Sequence, residues 1–251
     1  MYPLLSTATV KTLLGLFVVA AIGAWSLVEV LSPSTGLLRF GPFFATVVVG
    51  VVGLLMRGHH HWTPWRRLWR AVPQLNDWAY PDLNGVWVGS IRSNWPVIQR
   101  LSQAVPGDEP VDEKELASVP LGEGRIAVEV RADLYSVRLV AATEGVGGTS
   151  RSVTARPRRC ADSEVTTISY VYVQSTPDPE ATDESTHVGA AELRLEKGRS
   201  GVLEGEYWTR RRWRLGQNTA GRIELRRVSD RRDPERPLSD YFGDGTSEPA
   251  A

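Results

Sequence analysis

Gly85-Val86-Trp87-Val88-Gly89-Ser90-Ile91-Arg92-Ser93 is the segment on which the fold turns. Trp87, Gly89 and Ile91 fall on one face and Val88, Ser90 and Arg92 on the other, the two-residue period of a strand. The same period recurs over 125–131, 134–143, 150–156, 165–174, 188–196, 201–209 and 221–228, which predicts about eight strands and no long helix in this region. Glu144-Gly145-Val146-Gly147-Gly148, Lys197-Gly198-Arg199-Ser200 and Gln217-Asn218-Thr219-Ala220 supply turn chemistry between strands. Short links favour an antiparallel meander, and eight such strands can close into a small lipocalin-like β-barrel with no exposed edge.

Two connections break the rhythm. Residues 96–124 are acidic and proline-containing, with a short helix expected at 111–117 and a lid across one barrel mouth as the suggested role. Residues 176–186, rich in Pro, Asp and Glu, read as a mobile loop, and 229–251 read as a disordered tail.

Upstream of the barrel lie two apolar arms, 12–28 and 40–56, each of seventeen residues without a charge. Each is near the lower length limit for crossing a bilayer core of about 30 Å at about 1.5 Å per residue. Residues 1–57 therefore read as a two-span transmembrane hairpin, its turn holding Pro33 and Gly36. A buried hairpin of a soluble protein and a cleaved signal peptide are the competing readings. The second is weakened by an n-region whose one basic side chain is Lys11, and by the arm that follows. Arg57, Arg66, Arg67 and Arg70 outweigh Arg39 of the turn, so the positive-inside rule places both termini in the cytoplasm.

Residues 58–80 form a basic, Trp-rich juxtamembrane linker. If Pro64 starts a helix, Trp62, Trp65 and Trp69 share a face suited to lipid headgroups. His59, His60 and His61 are adjacent and have no carboxylate or cysteine beside them, so a linker is preferred to a metal site. The residues from 81 to 228 read as a cytosolic β-barrel domain.

The 251 residues carry 29 basic and 29 acidic side chains, which gives no electrostatic case for a DNA or RNA polymer as partner. One cysteine, Cys160, excludes an intramolecular disulfide framework. No nucleophile elbow, phosphate loop or zinc-type cysteine pair is present, and His187 is the one histidine of the β region, so neither catalysis, a metal nor a cofactor is expected.

Binding is the better prospect. Strand parity turns Trp87 toward the floor of the lumen with Ser93 nearer the rim. It also turns Ile126, Val128, Val130, Leu203, Gly205, Tyr207, Thr209, Ile223 and Leu225 inward. The candidate ligand-binding residues are Ser93, Trp95, Tyr135, Arg151, Tyr170, Tyr172, Tyr207, Thr209 and Arg210. Arginines suit phosphates and flat side chains suit bases, a composition that permits a nucleotide without identifying one. For each position ordinary barrel packing is the alternative.

Two spans followed by an eight-strand domain that opens with Leu83-Asn84-Gly85-Val86-Trp87-Val88-Gly89 and closes with Leu203-Glu204-Gly205-Glu206-Tyr207 and Gly221-Arg222-Ile223-Glu224-Leu225 resemble the SMODS-associated two-transmembrane β-strand-rich effectors. These are membrane effectors of bacterial cyclic-oligonucleotide-based anti-phage signalling (CBASS). The resemblance covers residues 10–228 and rests on Gly85, Trp87, Gly89, Gly205 and Tyr207 as structural motif residues. It implies a barrel that recognises a cyclic dinucleotide made by a partner nucleotidyltransferase, then homo-oligomerisation and disruption of the lipid bilayer that halts growth or kills the infected cell. A membrane-tethered lipocalin-like binding protein for a small apolar molecule and a non-enzymatic membrane scaffold are the alternatives.

Overall fold

The computed structural model describes residues 12, 15, 16, 19, 20, 22, 23, 26, 46–51, 53, 64–78, 80–105, 110–133, 136–145, 147–159, 165–179, 184–196 and 201–244. The chain divides into two compact units, one holding the described residues of Leu83–Arg131 and Val137–Ala251, the other those of Pro3–Asp82 and Ala132–Ser136.

The first unit is a closed barrel of eight strands in sequence order. They are β1 (Gly85–Ser93), β2 (Gly122–Ala132), β3 (Val137–Thr143), β4 (Thr149–Arg159), β5 (Val165–Ser175), β6 (Thr186–Glu196), β7 (Val202–Arg210) and β8 (Ala220–Ser229). β1 pairs antiparallel with both β2 and β8, so Gly89 lies opposite Ile126 on one side and Leu225 on the other. The expected strands all form, with ends shifted by at most three residues, and the period-two reading gives the meander and its closure directly.

Register stacks the inward side chains in layers that mix large and small residues to fill a narrow barrel. One layer runs Gly122, Ser93, Gly221, Tyr207, Ala191, Tyr170 and Ala155. The layer below runs Gly124, Ile91, Ile223, Gly205, Leu193 and Ile168 and is apolar. At the floor Trp87 is 1% exposed. Its Nε1–H donates to the Leu83 carbonyl at 2.9 Å, and the Arg227 guanidinium lies 4.9 Å from its ring centroid. A Cβ on Gly89 or Gly205 would stand 1.8 or 1.9 Å from a carbonyl oxygen of the neighbouring strand, so these motif glycines permit the close strand approach.

The residues after β8 correct the expectation of a disordered tail at 229–251. A 3-10 helix, Leu238–Gly243, sets Leu238 and Tyr241 against the outward side chains Val86, Val88 and Ala127, burying all five. Tyr241 accepts a hydrogen bond from the Asp233 amide at 2.9 Å, and Arg236 stacks 3.9 Å from its ring centroid while pairing with Asp244 at 2.8 Å. Glu129 of β2 is held by Arg131 at 2.7 Å and by Arg232 at 3.2 Å. The charge-rich composition suggested a solvated tail, but these charges pair with one another and with the barrel. Residues 245–251 lie outside the described set.

The connection from β1 to β2 also differs from expectation. Beyond a short helix at Glu113–Ser118 it carries a longer one, Trp95–Ala104, and Arg100 of the longer helix pairs with Glu115 of the shorter at 2.9 Å. Pro96 argued for a loop, but it sits in the first turn of the helix, where its missing N–H is no loss. The loop at 176–186 contains Glu180 to Asp183, which lie outside the described residues.

In the second unit, α1 (Pro64–Ala71) begins at Pro64 as anticipated and is followed by α2 (Gln74–Trp78). Trp65 and Trp69 are 2% and 5% exposed and meet edge to face at 5.8 Å. Trp69 donates to the Tyr80 carbonyl at 2.8 Å, and the buried Arg66 pairs with Asp82 at 2.9 Å. These three side chains are therefore interior packing rather than a headgroup-facing surface, whereas Arg67, Leu68 and Arg70 are exposed. Pairing with Asp82 makes the buried guanidinium tolerable.

Most of the two expected spans, their turn, Trp62 and the three adjacent histidines lie outside the described residues. The described residues of the arms are helical; Leu16, Val19 and Ile22 in the first and Val47 and Val51 in the second have exposed side chains, while Val48 and Val49 are half-buried. Among the described residues no helix is long and apolar enough to cross a membrane.

Candidate functional site: a polar cavity in the barrel mouth

The apolar layers of the barrel give way toward the Ser93 end to a cavity of about 280 Å³. This is close to the lower limit, about 300 Å³, of ordinary small-molecule pockets. Ile91, Ile126, Ala141 and Ile223 line its deeper part. Around and above them stand Ser93, Trp95, Ser150, Tyr170, Tyr172, Gln174, His187, Tyr207, Thr209, Arg211 and Thr219.

Tyr170 and Tyr172 project inward from β5, with ring centroids 5.9 Å apart and planes tilted by 43°. Both are 8% exposed. Room for Tyr172 exists because its register partner is Gly189: a Cβ there would lie 2.3 Å from Tyr172 Cζ and 2.4 Å from its hydroxyl oxygen. Burial pushes the phenol pKa of Tyr170 and of Tyr172 well above the ordinary value. Tyr207 is raised as well, mainly by burial, with a hydrogen bond to Ser93 and the positive charge of Arg211 opposing the shift. All three phenols are thus neutral at physiological pH and available as hydrogen-bond donors and acceptors.

Ser93 also ties the mouth to the following helix, accepting the Trp95 amide hydrogen bond at its Oγ, 3.1 Å away. Opposite, the Thr209 and Thr219 hydroxyls are 2.8 Å apart, and the Thr219 amide donates to Thr209 Oγ1 at 3.0 Å. The Arg211 guanidinium lies over the Trp95 ring, 5.0 Å from its centroid. At the rim Glu123 pairs with Arg92 at 3.1 Å, and Arg125 pairs with Glu144 through hydrogen bonds of 2.6 and 2.8 Å. The Arg125 contact holds the Glu144 carboxyl below its usual range and Arg125 above its own.

Of the nine candidates, Ser93, Trp95, Tyr170, Tyr172, Tyr207 and Thr209 come together in this cavity. Tyr135 lies outside the described residues. Arg151 and Arg210 are placed elsewhere. Arg151 is exposed and lies opposite Val140, which packs on the outer cluster, so it faces away from the lumen. Arg210 follows the inward Thr209, is exposed, and has its guanidinium 5.9 Å from the Trp213 ring centroid. Strand alternation explains both: Arg151 and Arg210 each follow an inward side chain, Ser150 and Thr209, by one residue and so point outward.

Gln174, His187 and Thr219 were not anticipated as lining. Extending the expected strand 188–196 by one residue reaches His187, which shares the parity of Gly189 and Ala191. A second depression of about 370 Å³ lies on the outer face. Its Arg92, Arg194 and Arg222 face Glu204, Glu206 and Glu224, a balance of charge that selects no ligand class.

The class of structure that this fold and site define is a small closed antiparallel barrel whose mouth holds a ligand-sized, hydroxyl-rich cavity. No protein-family model matches the chain. The chain is distantly homologous to CD-NTase-associated protein 15 of Escherichia albertii, 29% identical over 160 residues, which are 63% of this chain and 69% of the relative. That relationship agrees in coarse form with the resemblance drawn from the sequence.

Proposed function

We propose that this protein is a non-enzymatic anti-phage effector of the inner membrane, in which the barrel binds a cyclic dinucleotide and ligand binding gathers the N-terminal hairpins into a membrane-disrupting oligomer. The observation that carries the ligand class is the cavity lining, where three neutral phenols, an amide, an imidazole and a guanidinium surround a volume with an apolar base. Aromatic faces suit a nucleobase and the polar groups suit its edges and its phosphate. The relative's name ties it to a CD-NTase, in keeping with a nucleotidyltransferase as functional partner. A carrier for a wholly apolar molecule fits this lining less well, because such a ligand would leave the polar groups unsatisfied.

For the membrane step, the support is the pair of uncharged seventeen-residue arms and the exposed apolar side chains at their described helical positions. One hairpin cannot enclose an aqueous path, so several copies are required. Ligand drives assembly only by binding the assembled state more tightly, and a tenfold preference corresponds to about 1.4 kcal/mol. The full chain, reconstituted in liposomes of anionic bacterial phospholipid, is expected to release trapped dye about tenfold faster when its cyclic dinucleotide is added. A chain lacking residues 1–57 is expected to release none above background. Equal release by both chains would reject the hairpin as the output.

A further inference from the structure

The cavity is chemically graded from base to rim. Ile91 and Ile223 line it deep in the barrel, and Tyr170 and Tyr207 share the layer above them. Arg211 is the one arginine in the lining among the described residues, and it sits at the mouth, where its guanidinium covers the Trp95 ring. At the rim the carboxylates of Glu123 and Glu144 are each engaged by an arginine, Arg92 and Arg125. The guanidinium of the lining therefore stands at the mouth, while the interior holds aromatic faces and neutral polar groups.

From this grading we propose that a nucleotide enters base first. One nucleobase would sit among Tyr170, Tyr172, Tyr207 and Gln174, and its phosphate would stay at the rim on Arg211, which leaves the Trp95 ring to receive it. The proposal rests on the nucleotide reading above and adds an orientation and a phosphate-binding residue to it. A charge-assisted hydrogen bond to phosphate is at least as strong as a cation–π contact over an indole, so a phosphate at the mouth competes with the Trp95 ring for the Arg211 guanidinium. The cavity holds roughly one nucleoside, so the second half of a cyclic dinucleotide would remain at the mouth.

The test uses the full chain in detergent micelles. It is titrated with cyclic di-AMP, cyclic di-GMP, cyclic di-UMP and mixed cyclic dinucleotides, and with the corresponding uncharged nucleosides, at low and high salt. For the cyclic dinucleotide that binds, Arg211→Gln is expected to weaken affinity at least about tenfold and to flatten the salt dependence, because a phosphate contact is lost. Nucleoside affinity should change less than about twofold, and Arg211→Lys should keep the salt dependence, since charge rather than the guanidinium plane carries it. Thermal melting shows whether each variant is folded. Equal losses for nucleoside and dinucleotide, or no loss for either, in folded variants would overturn the orientation while leaving the nucleotide reading intact. Failure of every cyclic dinucleotide to bind the folded wild-type chain would overturn the ligand class, and this assignment with it.

Discussion

Gly189→Ala is expected to abolish nucleotide binding while leaving the barrel folded. The added Cβ would stand 2.3 Å from Tyr172 Cζ, inside any tolerable contact, and the atom it meets is the far end of a side chain, so the Tyr172 ring moves rather than the strands. A displaced ring enters a cavity of only about 280 Å³ or leaves its wall. Overpacking of this kind costs about 1–3 kcal/mol of stability. The effect on binding should be larger, about a hundredfold or more, because both a stacking face and part of the volume are lost. Chemical denaturation and ligand titration of the same sample separate the two effects. The double variant Gly189→Ala with Tyr172→Ala should recover part of the lost stability, since the clash partner is gone, and should not recover binding. Unchanged affinity in the folded single variant would place the ligand elsewhere.

Tyr241→Ala should destabilise the barrel by about 3–4 kcal/mol, a large fraction of the total for a single domain. The ring is 4% exposed in the cluster over Val86, Val88 and Ala127, its hydroxyl accepts the Asp233 amide, and Arg236 stacks on its face. Removing it opens the outer wall of β1 and β2 to water. Leu238→Ala should act in the same direction by about 2–3 kcal/mol. A shift in the denaturation midpoint with an unchanged slope would report stability alone. A midpoint that stays at the wild-type value would mean that the C-terminal segment does not hold the barrel.

Much of the barrel was legible because its signal is local. Alternation in Gly85–Ser93 and in Val202–Arg210 predicts both the strands and their inward faces, and the inward face of each is the one observed. Closure followed from eight short-linked strands with nothing to cover their edges. The C-terminal 3-10 helix was not legible, because its Leu238, Tyr241 and Phe242 are three apolar residues within a charged run, and the surface they cover, Val86 and Val88, reads as the outward face of a strand. Trp65 and Trp69 mislead for a related reason: an amphipathic Trp and Arg pattern suits a headgroup region and a folded interior equally until Asp82 is seen to hold Arg66.

In the cavity, alternation located Ser93, Tyr207 and Thr209 inside, while the choice of arginine depended on three-dimensional position. Arg210 and Arg211 are adjacent and chemically identical. Arg211 lines the mouth, and Arg210, at the exposed end of β7, does not. Gly189 gives no sign in the sequence of its importance, which comes from a neighbour across the sheet at Tyr172.

The central claim is that the barrel is a cyclic-dinucleotide sensor, and isothermal titration calorimetry of the full chain in detergent micelles tests it most directly. With a panel of cyclic dinucleotides differing in base and linkage, one member should bind once per barrel with micromolar or tighter affinity, about −8 kcal/mol or better. No heat of binding from any member, with a protein shown by circular dichroism and cooperative melting to be folded, would contradict the account.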